Sequence, residues 1–100
     1  MELQRNYSRF KEVGAEIIAL AVANISSVDK VRNAVGATYP MLADSQHRVA
    51  EAYGVYDLLG DKLAAPSVFV IDSDGRIVWQ YIGHNSTDRP KVAQILEQIP

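Results

Sequence analysis

Side chains able to react or to bind a metal are scarce in this sequence. It contains no cysteine, so it offers no thiol nucleophile, no disulfide and no thiolate ligand. Its two histidines, His47 and His84, lie far apart along the chain, and we expect surface histidines rather than a metal site. It has no glycine-rich phosphate loop, and we expect no cofactor.

The carboxylates and hydroxyls form no catalytic pattern either. Asp72 and Asp74 flank a predicted turn, where aspartate is common because its side chain hydrogen-bonds nearby backbone groups. Ser67 and Ser86 lack the flanking glycines of a nucleophile elbow. The residue types in the chain therefore predict neither carboxylate catalysis nor a serine nucleophile.

Composition indicates one small domain covering residues 1–100. The hydrophobic fraction of 48% and the net charge of −2 are ordinary for a globular protein, and the absence of a basic excess disfavours nucleic acid as a partner. The apolar run at residues 17–23 is much shorter than the roughly 20 residues of a membrane span. The first residues do not show the basic and apolar pattern of a leader, so we expect no signal peptide. We therefore expect a cytoplasmic protein with no membrane partner.

The chain is organised around a predicted β-hairpin. Residues 67–71 are a short run of β-branched and aromatic side chains, long enough for a buried strand and too short for a helix. Asp74 and Gly75 form the turn, since glycine accepts the positive φ that such turns require. Residues 77–82 return as the second strand. Pro66 stands just before the first strand, where its missing N–H leaves the ladder intact.

Apolar periodicity predicts the remaining elements of an α/β fold. Residues 17–22 are apolar on both faces, as in a strand covered by helices on both sides, and a crossover places residues 41–43 parallel to them. On the hairpin, Trp79 and Tyr81 share a face, and packing against the last helix is favoured over a ligand platform. Predicted helices cover residues 2–13 and the segment from Ser26-Ser27 to Gly36. A third predicted helix covers residues 46–53 after a cap at Asp44 or Ser45. The last one is capped by Thr87 or Asp88 and has Pro90 in its first turn.

Several stretches, in the same order along the chain, resemble one known family. The resemblance is to peroxiredoxin and redoxin domains of the AhpC/TSA type, within the thioredoxin-like superfamily. It rests on residues 10–22, Met41-Leu42-Ala43-Asp44, the Val-Ala-x-x-Tyr-Gly-Val motif at residues 49–55, Ala65-Pro66 with the hairpin that follows, and Asp88-Arg89-Pro90.

The resemblance implies a three-layer α/β/α fold with a mixed sheet and a thiol-dependent reduction of peroxides or disulfides. In that family a cis proline before the hairpin lies against the reactive thiol, which implies that Ala65 and Pro66 are the active-site neighbours here. The thiol itself would precede the helix at residues 2–13, so the sequence is interpreted as a redoxin domain without its N-terminal active-site portion. Many peroxiredoxins have an arginine at the position of Pro66, so its replacement favours a thiol–disulfide branch or an uncharacterised redoxin branch. The residues alone leave open that Pro66 merely starts a strand.

Three functional hypotheses follow from the missing thiol. The first is a catalytically inactive redoxin domain whose longer parent works with a thiol reductant. The second is a cysteine-free thioredoxin-fold module for interaction or dimerisation, and the third is one half of a split enzyme. The family's central strand would lie between residues 17–22 and 68–71. Without it, either these strands pair directly, in the order 2-1-3-4, or two chains self-associate through the exposed edges.

Overall fold

A computed structural model describes residues 2–100 of the chain as helices arranged around two small sheets. Each sheet has two strands, and the helices are short. In chain order the elements are α1 (Glu2–Arg5), α2 (Tyr7–Glu12), β1 (Ala19–Ala21), α3 (Ile25–Val35), β2 (Met41–Ala43), α4 (Arg48–Ala52), β3 (Ser67–Ile71), β4 (Ile77–Ile82) and α5 (Val92–Glu97).

The first sheet is the predicted crossover. β1 and β2 are parallel, with Leu20 opposite Leu42, and α3 connects them. The outer edge of β2 is covered by an arginine side chain, because Nη2 of Arg32 donates to the backbone carbonyl of Met41 at 2.8 Å. Such a charged group on an edge hinders pairing with a further strand. This sheet therefore has one covered edge, at β2, and one edge at β1.

The second sheet is the predicted hairpin. β3 and β4 are antiparallel, and the register shifts between Val70 and Ile71, which marks a bulge. In the turn, Oδ1 of Asp72 accepts from the backbone N–H groups of Asp74 and Arg76, both at 2.9 Å, and Gly75 has φ of 81°. The local role predicted for aspartate and glycine in this turn is confirmed.

All four predicted helices differ from the structure at a boundary, and α4 covers Arg48–Ala52 rather than residues 46–53. The first helix is interrupted at Asn6 and gives α1 and α2. α3 is capped by Asn24, whose Oδ1 accepts from the backbone N–H of Ser27 at 2.8 Å, rather than by a serine. α5 starts only at Val92, because the Asp88 side chain turns back toward β4 and is not free to cap the helix.

The strands of the predicted mixed sheet, which lacks the family's central strand, form two separate sheets, so direct pairing of the two inner strands, one of the two alternatives, is wrong. Within residues 2–100, β1 pairs only with β2, and β3 pairs only with β4. The physical reason is that residues 44–65, between β2 and β3, are hydrogen-bonded to Ala21 at the end of β1 and include Ala65 just before β3, so they hold the two sheets apart. The α/β class itself is confirmed.

The hydrophobic core lies on one side of the second sheet. Its buried centre is Phe10 of α2, Val70 of β3, and Val92 and Ile95 of α5. Trp79 packs against this cluster, which confirms packing rather than a ligand platform for that side chain. Among residues 2–100, no helix has the length and apolar character required to cross a membrane.

Candidate functional site

A cleft with a volume of about 1580 Å³ lies between β1 and β3. Residues of both strands and of their flanking segments line it, from Glu16 to Ala23 on one wall and from Ala64 to Ser73 on the other. The two strands face each other across the cleft without pairing. We call this feature the interstrand cleft.

The backbone of β1 has unused hydrogen-bonding capacity toward this cleft. Ala19 donates to Pro40 at 2.9 Å and Ala21 accepts from Asp44 at 2.8 Å, so these two residues direct their backbone groups toward β2. In a parallel ladder successive residues point their backbone groups to opposite sides. The N–H and C=O of Leu20 therefore point into the interstrand cleft.

The same alternation applies to β3. The carbonyl of Pro66 accepts from the N–H of Gly83 at 2.7 Å, so the residues two and four positions further, Val68 and Val70, also direct their backbone toward β4. Between them, Phe69 points its N–H and C=O away from β4. The interstrand cleft thus has a free strand edge on each side, one at Leu20 and one at Phe69.

The lining of the interstrand cleft is mostly apolar and partly open to solvent. Ile18 is 64% exposed and Ile71 is 46% exposed, although both have aliphatic side chains. The charged side chains in the lining are Glu16, Asp72 and Arg89. An apolar surface of this extent between two unpaired strand edges is typical of a binding site for another polypeptide.

One end of the interstrand cleft is closed by a continuous route of hydrogen bonds. The carbonyl of Ala21 accepts from the N–H of Asp44 at 2.8 Å, and Oδ2 of Asp44 accepts from the N–H of Ala50 at 2.9 Å. The carbonyl of Ala50 accepts from Val55 at 3.0 Å, and the carbonyl of Val55 accepts from Ala65 at 2.9 Å. Residues 44–65, which we call the strap, therefore join the end of β1 to the start of β3 and fix their separation.

Pro66 lines the interstrand cleft at this strap end, next to Ala65. The cis bond implied by the resemblance is wrong for this structure, because every peptide bond among residues 2–100 is trans. The trans isomer is the more stable one for most X–Pro bonds, and here Ala65 donates to Val55 while Pro66 accepts from Gly83 in that geometry.

Gly83 packs closely against Pro66 and the loop after β4. A Cβ atom at this position would collide with the backbone oxygen of Asp88 and would lie 3.1 Å from the backbone oxygen of Pro66. The residue is needed for the close approach of backbones rather than for an unusual φ, since its φ is not in the left-handed region.

Asp88 holds the loop of residues 84–88 against β4. Its Oδ1 accepts from the Tyr81 hydroxyl at 2.6 Å, and its Oδ2 accepts from the backbone N–H of His84 at 2.9 Å and lies 3.2 Å from Nδ1 of His84. The hydrogen bond from Tyr81, followed by those from His84, lowers the pKa of Asp88. The same bond raises the pKa of Tyr81, because it stabilises the neutral phenol beside a carboxylate.

The residues that the sequence analysis weighed for catalysis are not brought together. His47 stacks on Tyr56 with 3.9 Å between ring centroids, and its Nδ1 lies 3.0 Å from Oε1 of Glu51 without the alignment of a hydrogen bond. His84 lies in the loop of residues 84–88, outside the lining of the interstrand cleft, and pairs with Asp88. Within residues 2–100, no cluster of histidines and carboxylates could hold a metal ion.

The free edges of β1 and β3 were one of the two alternatives that the sequence left open, and the separate sheets agree with it. Sequence analysis missed the pairing of Tyr81 with Asp88, although the family motif Asp88-Arg89-Pro90 marked the position. Asp44 or Ser45 was predicted to cap α4, but the N-cap residue is His47; Oδ2 of Asp44 nevertheless accepts from the N–H of Ala50, within that helix.

Comparison with known proteins assigns the chain to a family. The AhpC/TSA family profile matches residues 1–80. The chain belongs to the AhpC/TSA family. Among curated relatives, the chain is 29% identical to the putative peroxiredoxin YkuU of Bacillus subtilis over 90 residues, covering 83% of this chain and 49% of that protein. It is 33% identical to the thiol-disulfide oxidoreductase ResA of Bacillus thuringiensis over 84 residues, covering 83% and 44%.

Solved structures of AhpC/TSA proteins confirm the thioredoxin-like fold. AhpC of Mycobacterium bovis superposes with a TM-score of 0.83 at 19% identity, covering 95% of this chain and 54% of that one. AhpC of Enterococcus faecalis superposes with a TM-score of 0.72 at 23% identity, covering 95% and 60%. The chain spans about half the length of the curated relatives it matches.

Proposed function

We propose that this chain is the scaffold part of an AhpC/TSA redoxin domain that reduces peroxides or disulfides with a thiol. The thiol and the strand that carries it come from outside these hundred residues and dock in the interstrand cleft. The observation that supports this proposal most directly is the cleft itself, with a free strand edge at Leu20 and another at Phe69. Ala65 and Pro66, at the strap end, are the residues against which the thiol lies.

The chain alone lacks the reagent for this reaction. Thiol peroxidases and thiol–disulfide oxidoreductases react through a thiolate, and the sequence has no cysteine. Neither histidine lines the interstrand cleft, and the carboxylates that do, Glu16 and Asp72, are hydrogen-bonded to their own neighbours. None of these groups is a nucleophile for the oxygen of a peroxide or the sulfur of a disulfide. The isolated chain is therefore catalytically inactive.

Position 66 favours disulfide over peroxide reduction. Proline has no side-chain donor, so it cannot bind a peroxide oxygen as the arginine of many peroxiredoxins does. Relatives of both kinds match, namely the peroxiredoxin YkuU and the thiol-disulfide oxidoreductase ResA. We propose that the complete site acts on disulfides in preference to peroxides, with a thiol reductant as partner.

A fusion protein tests this function. In it, a five-residue strand of valine and isoleucine and one cysteine precede residue 2, and the matched control carries serine instead. We expect only the cysteine fusion to reduce the disulfides of insulin. The serine fusion and the unmodified chain are expected to show the same rate as buffer without protein. Turnover by the unmodified chain would contradict the proposal. So would a folded cysteine fusion, with the Leu20 amide protected from exchange, that fails to react.

Association between copies is a second candidate for the chain by itself. The exposed aliphatic side chains along the interstrand cleft, with Ile18 at 64%, favour burial against another surface. We propose that, with the cleft empty, two chains associate through its edges. Light scattering at micromolar concentration is expected to give the mass of a dimer, and a stable monomer would contradict this.

A further inference from the structure

We propose that His84 is a proton-transfer residue for the reductant that approaches the site from solvent. Its imidazole takes the proton of the incoming thiol and holds the resulting thiolate beside Pro66, where the mixed disulfide of the complete domain lies. Asp88 orients the imidazole for this step. The inference rests on the function proposed above, and it names the class of reductant as a thiol that is protonated at neutral pH.

The loop of residues 84–88 lies next to Pro66. The N–H of Gly83 donates to the carbonyl of Pro66 at 2.7 Å. A Cβ atom built on Gly83 would lie against the backbone oxygen of Asp88 and 3.1 Å from that of Pro66. The backbones of Pro66 and Asp88 therefore meet at Gly83, and His84 is the next residue along the chain. This contact places His84 and Asp88 beside the strap end of the interstrand cleft.

Asp88 sets the orientation of the His84 ring. Its Oδ2 lies 3.2 Å from Nδ1 of His84 and accepts from the backbone N–H of the same residue at 2.9 Å. The hydrogen bond from the Tyr81 hydroxyl, followed by those from His84, lowers the pKa of Asp88, so this carboxylate is ionised at neutral pH and only accepts. The shared proton is thus on Nδ1, and Nε2 has the free lone pair. A carboxylate orients the histidine of a catalytic triad in the same way.

The loop holds the ring in place and leaves it open to solvent. Oδ1 of Asn85 accepts from the backbone N–H of Thr87 at 3.0 Å and from its hydroxyl at 2.9 Å, and the N–H of Asp88 donates to the carbonyl of Asn85 at 3.2 Å. The His84 side chain is 92% exposed. A thiol that arrives from solvent can therefore reach Nε2, and the fixed loop reduces the entropy lost when the two meet.

The other proton acceptors considered for this site are placed less well. His47 stacks on Tyr56 with 3.9 Å between ring centroids, and its Nδ1 is shielded from solvent. Glu16 precedes β1 and Asp72 follows β3, so both carboxylates lie at the end of the interstrand cleft away from the strap. Imidazole is also the side chain whose charge ordinarily changes between about pH 5 and 8, so it can both take and release a proton there.

The proposed step conserves atoms and electrons. The S–H bond of the incoming thiol breaks, and its proton moves to Nε2 of His84. The thiolate then attacks the outer sulfur of the mixed disulfide, and a new S–S bond forms between the two small thiols. The electron pair of the broken S–S bond stays on the sulfur of the domain, which is thereby reduced, and the imidazolium releases its proton to water. Because the thiolate is the attacking species in disulfide exchange, ionising the thiol beside Pro66 raises the rate.

Two small thiols test this role with the cysteine fusion, loaded as its mixed disulfide with 2-mercaptoethanol. At one mildly alkaline pH, 2-mercaptoethanol is mostly protonated and 2,2,2-trifluoroethanethiol is mostly ionised. Acid quenching and mass spectrometry measure how fast each thiol frees the cysteine. We expect His84→Gln to slow 2-mercaptoethanol about tenfold, less than the roughly 10²–10⁴ of an enclosed acid–base group because water competes at an exposed ring. The rate with trifluoroethanethiol is expected to stay the same, since that thiol needs no base.

The exposed neighbour Ser86→Ala is the matched control and is expected to change neither rate. An equal loss with both thiols in His84→Gln would indicate a structural role, and no loss with either would mean that the imidazole takes no part, so both results would overturn the inference. In the unmodified chain, nitrogen NMR of the His84 ring should show the proton on Nδ1, and a proton mainly on Nε2 would also contradict it.

Failure of the proposed function gives a different result. A folded fusion that forms no mixed disulfide, or whose mixed disulfide neither thiol reduces even with His84 present, would contradict the function and the inference together. A fusion that reacts equally well with and without His84 would contradict the inference alone.

Discussion

Oδ2 of Asp44 accepts a hydrogen bond from the backbone N–H of Ala50 at 2.9 Å, and both residues are buried. Asp44 directly follows β2, and Ala50 lies within α4. The bond is the only link in the route from Ala21 to Ala65 that a side chain makes. It therefore sets the position of the strap, and through the strap the separation of β1 from β3.

Replacement of Asp44 is expected to destabilise the chain. Asp44→Ala leaves the N–H of Ala50 buried without an acceptor, which costs about 1–3 kcal/mol in the free energy of unfolding. Asp44→Asn retains a side-chain oxygen and is expected to cost less. Urea denaturation checks both values, with Asp74→Ala on the exposed turn as a control within about 0.5 kcal/mol of the original chain. Equal stability of the two alanine variants would contradict this role of Asp44.

A methyl group at position 83 is expected to move the loop away from Pro66. Gly83→Ala places Cβ against the backbone oxygens of Asp88 and Pro66, and backbone atoms cannot rotate away as a side chain can. Such overpacking costs about 1–3 kcal/mol. Denaturation measures the loss, and NMR shifts of Ala65 and Ser67 report the movement. The exposed neighbour Ser86→Ala is the control, and unchanged shifts in Gly83→Ala would refute the close packing.

The pair of Tyr81 and Asp88 predicts a specific dependence of stability on pH. The folded pKa of Asp88 is below its ordinary value of 3.8, so its contribution to stability is full above that value. The contribution is lost as pH falls through the lower folded pKa. Tyr81→Phe is expected to raise the pKa of Asp88 toward 3.8 and to flatten the acid limb of the stability curve.

An NMR titration of the Asp88 carboxyl carbon checks this shift directly. Tyr56→Phe removes a hydroxyl elsewhere in the chain and is expected to leave the pKa of Asp88 unchanged. The prediction would be wrong if Tyr81→Phe and the original chain gave the same pKa for Asp88.

One lysine in the interstrand cleft is expected to prevent association without unfolding the chain. Ile18 is 64% exposed and lines the cleft, so Ile18→Lys costs little stability but places a charge where an apolar partner binds. Ile25→Lys is the matched control, because Ile25 is 71% exposed on α3 and lies outside the lining. Light scattering is expected to give a monomer for Ile18→Lys only. Dimers of both variants would place the contact elsewhere.

Sequence patterns predicted the hairpin and the parallel pair well because both depend on local chemistry. The apolar run at Ser67–Ile71 and the turn at Gly75 have few alternatives, and Met41–Ala43 was predicted with its observed bounds. The cap of α3 was misassigned, since Asn24 and the nearby serines all offer a suitable oxygen. Only the backbone conformation distinguishes them.

The candidate site was predictable only in part, because it depends on contacts between distant residues. The resemblance pointed to Pro66, which does line the interstrand cleft, but it implied a cis bond that the structure lacks. Whether β1 and β3 would pair was undecidable from their apolar sequences, which suit a neighbouring strand of either kind. The outcome is set by the strap and by Asp44 at its start.

Amide hydrogen exchange at the two cleft edges tests the central claim most directly. The N–H groups of Leu20 and Phe69 point into the interstrand cleft, whereas those of Ala21 and Val70 belong to the ladders within each sheet. In the monomeric Ile18→Lys variant we expect Leu20 and Phe69 to exchange at least about tenfold faster than Ala21 and Val70. Equal protection of all four amides in the isolated, monomeric chain would mean that β1 and β3 are already paired, and would contradict an open cleft.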